Sequence, residues 1–329
     1  MSQADGRFRA SKGSWRRKAG FAFSRLWRGL VCRFWDPVVR YDLDGRTIRL
    51  PLSHSLPLFR RVYPQYATNL TRLVSACGRK YPDLRVIDVG ANGGDSAVLI
   101  KNGWDCPILC VEGDSRFHAL LQANVAALKG VELANVFVGK SRQGEQLVYA
   151  ETTPGSGQLV KSAEKQTGSE PAAKHEGPAP SVPTLKTLDE IVADHPAFRD
   201  AKLVKIDTDG YDLRIVMDDL EFFRRARAAI FLEYDPNLFA AQGVAGPEAF
   251  EALRQAGYQT AIAWDNIGDY LVSAELSDRR LLADLDAYYR GRSSNRYADV
   301  CVLHGCDADL AAAVREGEIE FFSRFRSRG

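Results

Sequence analysis

The sequence lacks the features that mark several protein classes. Its six cysteines form no Cys-x-x-Cys pair and have no histidines at matching spacing, so it predicts neither a zinc site nor a disulfide framework. It has no uninterrupted run of about 20 apolar residues, the length that a membrane-spanning helix needs. A net charge of +2 over 329 residues gives no reason to expect a nucleic-acid partner. The composition, 45% hydrophobic and 26% charged, is that of a globular protein with reduced thiols, as in the cytoplasm.

Basic charge is nevertheless concentrated at the N-terminus. Within residues 7–35, lysine and arginine alternate with bulky apolar side chains, which predicts a basic amphipathic helix. Five apolar residues follow helical spacing: Phe23, Leu26, Trp27, Leu30 and Phe34. Arg25 and Arg28 interrupt the apolar run, which argues against a secretory signal peptide. Two interpretations stay open: peripheral contact with the inner face of a membrane, or packing on the chain's own domain with the charged face in solvent.

The chain is organised around residues 85–95, Arg-Val-Ile-Asp-Val-Gly-Ala-Asn-Gly-Gly-Asp. The apolar residues predict a short buried strand, which turns through Gly90, Gly93 and Gly94 into a helix over residues 96–102. Such a turn lets a ligand approach the backbone closely. It is expected at the carboxyl edge of a parallel α/β sheet, where open sheets bind their ligands.

Acidic residues beside this turn distinguish between two nucleotide cofactors. Asp88 lies at the strand end and Asp95 follows the glycines, and both would oppose the pyrophosphate of NAD. S-adenosylmethionine has no phosphate and carries an amino group and a sulfonium, which carboxylates attract. The next predicted strand ends in Glu112, about 20 residues further on, where an acid accepts hydrogen bonds from ribose hydroxyls. We therefore predict S-adenosylmethionine; an NAD-dependent oxidoreductase is the alternative, disfavoured by Asp88 and by an incomplete Gly-x-Gly-x-x-Gly motif.

Strands and helices continue on both sides of this segment. Before it, two alternating runs joined at Asp44-Gly45 predict a β-hairpin, and residues 57–77 predict a helical stretch. After it come a helix that begins at Ser115 as its N-cap and a strand over residues 131–138. This order predicts right-handed crossovers in a parallel sheet.

Residues 151–183 interrupt this order. They are rich in proline, glycine, serine, lysine and glutamate, which predicts a long mobile loop whose most ordered part is residues 155–157. A lid over the ligand edge and a passive insertion are both compatible with this composition. Regular structure resumes at Thr187, which we expect to cap a helix.

Two later strands are followed by carboxylates. Asp207 and Asp209 follow one strand, and Glu233 and Asp235 follow the next, so all four are expected at the cofactor edge of the sheet. Asp207, Asp209 and Glu233 are the candidates for a catalytic base that removes a proton from an acceptor. The alternative is that these acids orient the backbone or bind ligand hydroxyls. Ligation of Mg²⁺ has no supporting histidine or spacing, and we expect no metal.

Together these segments resemble the FkbM-type S-adenosylmethionine-dependent methyltransferases. The resemblance extends over residues 38–305 and rests on residues 88–95, Glu112, and residues 187–190, 204–212 and 232–233. It implies an α/β, Rossmann-like class I methyltransferase fold with a mostly parallel seven-stranded sheet and helices on both faces, plus the N-terminal β-hairpin and the basic amphipathic helix. The chain departs from the family at Asp209-Gly210, where Glu-Gly is common, and in its unusually polar loop.

The resemblance also implies an activity, O-methylation of a hydroxyl on a sugar, glycan or related natural product. The cofactor-binding residues that we predict are Asp88, Gly90, Asn92, Gly94, Asp95, Glu112 and Gly139. A catalytically inactive, membrane-peripheral scaffold of glycan assembly is the alternative. The intact acidic and glycine positions of the cofactor motif argue against it.

We expect the chain to divide into four parts. These are a basic leader (1–36), a hairpin and helical subdomain (37–80), a methyltransferase domain (81–306) and a helical tail (307–329). The sequence leaves the oligomeric state open.

Overall fold

The computed structural model describes residues 31–32, 34–143, 147–153, 156–161, 183–291 and 297–326. Most of the predicted leader therefore lies outside the described residues, as do residues 162–182 of the predicted loop. None of the helices in these ranges is long and apolar enough to cross a membrane. The division of the chain into four parts stays a prediction.

A β-hairpin and two helices precede the central domain. They are β1 (Val38–Leu43), β2 (Arg46–Pro51), α1 (Leu56–Val62) and α2 (Thr68–Lys80). The hairpin prediction is confirmed, since β1 and β2 pair antiparallel. Asp44 and Gly45 have φ angles of 52° and 86°, the left-handed conformation that a two-residue hairpin turn needs.

Strands and helices alternate in the first half of the central domain. They are β3 (Val86–Val89), α3 (Asp95–Gly103), β4 (Ile108–Val111), α4 (Ser115–Val125) and β5 (Val131–Ala134). The predicted cap of α4 was wrong by one residue. Asp114 is the N-cap, because its carboxylate accepts a hydrogen bond from the backbone N–H of Arg116.

Four short strands follow, outside the central sheet. They are β6 (Phe137–Val138), β7 (Leu147–Thr153), β8 (Ser156–Lys161) and β9 (Leu185–Lys186). β6 pairs with β9, so the prediction of one strand over residues 131–138 was wrong. The chain leaves β5 at Asn135, whose side-chain amide donates a hydrogen bond to the backbone carbonyl of Glu112 at 2.8 Å.

The prediction of a mobile loop from residue 151 was also wrong in its first part. β7 and β8 form an antiparallel hairpin over residues 147–153 and 156–161. Leu147 and Leu159 are buried in the core, which anchors the hairpin to the domain. The mostly polar composition of the segment led to the loop prediction, although a few apolar residues pack the hairpin onto the core.

The second half of the domain completes the sheet and its helices. Its elements are α5 (Leu188–Asp194), β10 (Leu203–Ile206), α6 (Asp212–Asp218), α7 (Leu220–Ala226), β11 (Ala229–Tyr234), α8 (Pro236–Ala241), α9 (Gly246–Gln255), β12 (Tyr258–Asp265), β13 (Tyr270–Glu275), α10 (Arg279–Arg290), β14 (Ala298–His304) and α11 (Ala308–Arg326). Thr187 caps α5 as predicted, and Glu190 completes a capping box with it.

The central sheet has the strand order β13-β12-β14-β11-β10-β3-β4-β5. β11, β10, β3, β4 and β5 are parallel neighbours, while β14 lies antiparallel between β11 and β12. The predicted Rossmann-like fold class is confirmed. The sheet has eight strands rather than seven, because β13 folds back along β12 at the edge.

Two hydrophobic clusters cover the two faces of this sheet. One contains Val89 and Ile206 and extends to the β7–β8 hairpin. The other contains Phe231 and Cys301 and includes the buried face of α2. Since side chains alternate between faces along a strand, Asp88 and Lys205, which are paired in register, point to the α2 face.

Gly90→Ala is expected to destabilise the protein more than Gly45→Ala. Both glycines have positive φ angles, 72° and 86°, so an added Cβ imposes backbone strain of about 1–2 kcal/mol on each. At Gly90 this Cβ would also lie 1.9 Å from the carbonyl oxygen of Asp207, whereas nothing lies within 4 Å of it at Gly45. Urea unfolding measures both losses. Equal losses would contradict the close approach of the chain after β3 to the chain after β10.

Candidate active site

The glycine-rich turn after β3 is held in one conformation by its neighbours. Gly90 leaves room for the backbone of Asp207, as its missing Cβ shows. Asn92 has a φ angle of 44°, and its side-chain oxygen accepts a hydrogen bond from the backbone N–H of Gly93 at 2.6 Å. Asparagine tolerates this left-handed conformation better than most residues. Contacts within the chain therefore support the conformation of this turn.

Glu112 connects this turn to the start of α4. Its carboxylate accepts hydrogen bonds from the backbone N–H groups of Asn92 and Asp114, each at 2.8 Å. Burial raises the pKa of Glu112 from 4.5 to about 7, against the lowering effect of these two bonds. The carboxyl group thus changes its charge near neutral pH.

A buried ion pair lies beneath the turn. Asp88 is fully buried, and its carboxylate lies 3.0 Å from Nζ of Lys205 and accepts a hydrogen bond from the Ser96 hydroxyl at 2.5 Å. Lys205 Nζ also lies 3.4 Å from the carboxylate of Asp207. Burial alone would lower the pKa of Lys205, but the carboxylates of Asp88 and Asp207 raise it above its ordinary value. Lys205 therefore stays charged at the centre of the site.

A cleft opens above these turns. Its polar lining residues are Asn92, Glu112, Asp207, Thr208 and Asp209. Its larger apolar and aromatic lining residues are Val111, Phe117, Phe137, Tyr149, Leu159 and Tyr211. This mixed lining is that of a pocket for a small organic ligand.

The structure places the predicted cofactor residues in two groups. Gly90, Asn92 and Glu112 line the cleft. The others surround it: Asp88 beneath the turn, Gly94 at the N-cap of α3, Asp95 in the first turn of α3, and Gly139 beside Tyr211. Direct contact of this second group with a cofactor stays a prediction, and their observed contacts shape the elements around the cleft.

The predicted catalytic acids also separate. Asp207 and Asp209 line the cleft, and the Asp207 side chain is 46% exposed. Glu233 lies on the far side of Asp207, opposite Asp299 in the β11–β14 ladder. Burial, followed by the nearby carboxylates of Asp207 and Asp212, raises the pKa of Glu233 well above its ordinary value. No group of three or more His, Cys, Asp or Glu side chains in the described ranges is placed to hold a metal ion.

The sequence analysis missed several residues at this edge. Tyr149 and Leu159 come from the β7–β8 hairpin. Leu159 lies within the predicted mobile loop, whereas Tyr149 precedes it and was not recognised, although Leu147 and Tyr149 alternate as in a half-buried strand. Asp299 had no local signal. It reaches the site because β14 runs antiparallel, which brings the start of that strand to the edge where the parallel strands end.

A family model described as the methyltransferase FkbM domain matches residues 88–260, more than half of the chain. The chain belongs to this family. The predicted family and cofactor are thereby confirmed: the protein is an S-adenosylmethionine-dependent methyltransferase. No curated protein matches the chain.

Solved structures with a similar arrangement of elements are distant. A precorrin-6y C5,15-methyltransferase from Geobacter metallireducens GS-15 is 13% identical, over 73% of this chain and 87% of that one, with a TM-score of 0.37. A geranyl diphosphate methyltransferase in complex with SAM is 9% identical, over 71% and 83%, with a TM-score of 0.38. TYW2 of P. horikoshii in complex with MeSAdo is 13% identical, over 82% and 72%, with a TM-score of 0.36. Likeness at this level supports no argument about substrate.

Lys205→Met is expected to reduce the free energy of unfolding by about 3–5 kcal/mol, because it leaves the Asp88 carboxylate buried without its counter-charge. Adding Asp88→Asn should recover most of this loss, since the pair then carries no charge. Lys101→Met is a matched control. Lys101 is equally buried, but its partner Asp105 is 87% exposed, so that loss should be smaller. Urea unfolding of the wild type, the two single variants Lys205→Met and Asp88→Asn, and their double variant measures the coupling, with Lys101→Met beside them; additive losses would contradict it.

Glu112→Gln is expected to change how stability depends on pH. The folded protein keeps a proton on Glu112 that the unfolded chain releases between its pKa of 4.5 and the folded pKa of about 7. This group therefore lowers the stability of the wild type as pH rises through that window, by an amount on the order of 3 kcal/mol. The glutamine variant should gain relative to wild type between pH 5 and pH 8 in urea unfolding. Glu248→Gln, at an exposed position, is the control, and parallel curves for Glu112→Gln and wild type would refute the assignment.

Proposed function

We propose that this methyltransferase transfers the methyl group to a hydroxyl oxygen of a sugar, glycan or related natural product. The observation that carries the proposal is the position of Asp207. Its half-exposed carboxylate lines the cofactor cleft on one side and belongs to the group of acids and phenols around Glu233 on the other. An acceptor held at that group would present its hydroxyl to Asp207.

The cleft suits the cofactor in its chemistry. The carboxylate of Glu112 is the group we assign to the ribose hydroxyls, as acids at this strand end commonly are. Val111, Phe117 and Phe137 supply an apolar wall of the kind that an adenine ring requires, and Asp207 and Asp209 supply negative charge. S-adenosylmethionine supplies an electrophilic methyl group on a sulfonium. The protein's contribution is to hold the cofactor and the acceptor on the two sides of Asp207, so that the reacting atoms are aligned.

Removal of a proton is the second requirement, because an ordinary alcohol holds its proton at neutral pH. We assign this role to Asp207, whose carboxylate lies 3.4 Å from Nζ of the charged Lys205 and lines the cleft. Asp209 lines the same cleft and is the second candidate. Glu233 suits hydrogen bonding to the acceptor better, because its raised pKa favours the protonated form over the ionised form that a base needs.

We further propose a cytoplasmic reaction with peripheral membrane contact through residues 7–35. The reduced cysteines and the basic, aromatic-rich composition of that segment support this location. A glycan precursor assembled at the inner face of a membrane would then lie within reach of the site.

Asp207→Asn is expected to lower kcat by a factor of about 10²–10⁴, the usual contribution of a positioned general base. Affinity for S-adenosylmethionine, measured by calorimetric titration, should change much less. The assay follows labelled methyl groups from S-adenosylmethionine into methyl hexopyranosides and the corresponding amino sugars, with product identity from mass spectrometry. Asp284→Asn, on the exposed face of α10, is the matched control and should retain full activity. Transfer to nitrogen alone would refute O-methylation, and full activity of Asp207→Asn would remove its assigned role.

A further inference from the structure

A set of polar side chains lies beyond Asp207, away from the cofactor cleft. Its members come from the α1–α2 connection, α2, β11 and the start of β14: Tyr66, Asn69, Glu233, Tyr297 and Asp299. We call this set the Tyr66 cluster. Asn69 is fully buried, and the other four are partly exposed.

The sheet register explains why these residues meet. Glu233 and Asp299 are directly opposite each other in the β11–β14 ladder, which brings their side chains to the same face. Phe231 and Cys301, which lie two residues away on the same strands, are packed in the cluster that includes α2. Glu233 and Asp299 therefore point toward α2, where Asn69 donates a hydrogen bond to the Asp299 carboxylate at 2.7 Å.

The phenols and the Asn69 side chain of the Tyr66 cluster can form further hydrogen bonds with a ligand. The two phenol oxygens of Tyr66 and Tyr297 lie 3.4 Å apart, a long contact in which either group donates. The side-chain oxygen of Asn69 is buried and accepts no hydrogen bond from the described residues. Because this oxygen shares its carbon with the amide nitrogen on Asp299, it lies beside the Asp299 carboxylate. A buried acceptor without a donor is costly, which points to a ligand that donates here.

The chemical groups of the Tyr66 cluster indicate what kind of ligand this is. The two phenols and the amide of Asn69 contain both hydrogen-bond donors and acceptors, and the carboxyls of Glu233 and Asp299 add further acceptors. Burial raises the pKa values of both carboxyls, which favours their protonated, donating forms. Neighbouring hydroxyl groups of a neutral polyol have the same double capacity. A cation would offer donors alone.

We propose that the Tyr66 cluster is the acceptor subsite, and that it binds adjacent hydroxyl groups of a neutral polyhydroxylated acceptor. The role of this subsite in the reaction rests on the proposed function. By holding two hydroxyls, the cluster selects which other hydroxyl of the acceptor faces Asp207. Tyr66, Glu233 and Tyr297 are then the residues that decide specificity, separately from the cofactor cleft and from proton removal.

Binding of simple polyols to the full-length protein tests this subsite without a methyl transfer step. The probes are myo-inositol, methyl α-D-mannopyranoside and methyl α-D-glucopyranoside, each up to about 50 mM in the presence of S-adenosylhomocysteine, with D-glucosamine as the cationic probe. Saturation-transfer NMR gives the affinities. We expect at least one neutral probe to bind, and Tyr66→Phe and Glu233→Gln each to weaken that binding about 5–10-fold, the loss of one hydrogen bond.

Matched variants keep the result interpretable. Tyr66→Phe removes only the hydroxyl and preserves the ring that stacks on Phe59 at 5.0 Å. Tyr63→Phe makes the same change at a 40% exposed tyrosine outside the cluster and should leave binding unchanged. Absence of binding by every neutral probe, binding of glucosamine alone, or equal effects of both tyrosine variants would overturn the subsite. Polyol binding that depends on Tyr66, without methyl transfer to any hydroxyl, would support the subsite and refute O-methylation.

Discussion

The ion pair between Asp88 and Lys205 is the constraint on which the site depends. It joins the neighbouring strands β3 and β10 in the interior of the protein, and Lys205 is shared with the half-exposed carboxylate of Asp207. A buried charge requires a partner at close range, so the pair keeps β3 and β10 in one register. This register sets the relative positions of the turns that follow the two strands. The cofactor cleft and the carboxylate assigned to proton removal are therefore positioned by the same lysine.

Two different demands act on the edge above this pair. On the cofactor side, backbone groups must lie close together, which explains the positive φ angles of Gly90, Asn92 and Asp209. On the side that we assign to the acceptor, burial, followed by the neighbouring carboxylate of Asp207, raises the pKa values of Glu233 and Asp299. The first demand gives a rigid turn. The second gives groups whose protonation responds to pH and to what is bound.

The features that could be predicted from the sequence are those that neighbouring residues determine. The strand, glycine turn and helix at residues 85–95, Glu112 at the end of the next strand, the Asp44-Gly45 turn and the Thr187 cap each follow from neighbouring residues. The rest depends on contacts between distant segments. The β7–β8 hairpin packs on the domain through Leu147 and Leu159, although the segment is mostly polar. Asp299 reaches the site because β14 pairs antiparallel with β11. The only local signal of the first contact is the alternation of Leu147 and Tyr149, and the second contact has none.

The position of β14 has a consequence for biosynthesis. This strand is the last in the sequence, yet it lies inside the sheet between β11 and β12 and hydrogen-bonds to both. While the ribosome is still translating the preceding residues, β11 has an open edge and the eight-stranded sheet is incomplete. The edges of β11 and β12 that face β14 therefore stay unpaired until β14 itself has left the exit tunnel. Completion of the sheet and delivery of Asp299 to the acceptor edge are then a single late event, so a chain shortened before β14 would lose both together.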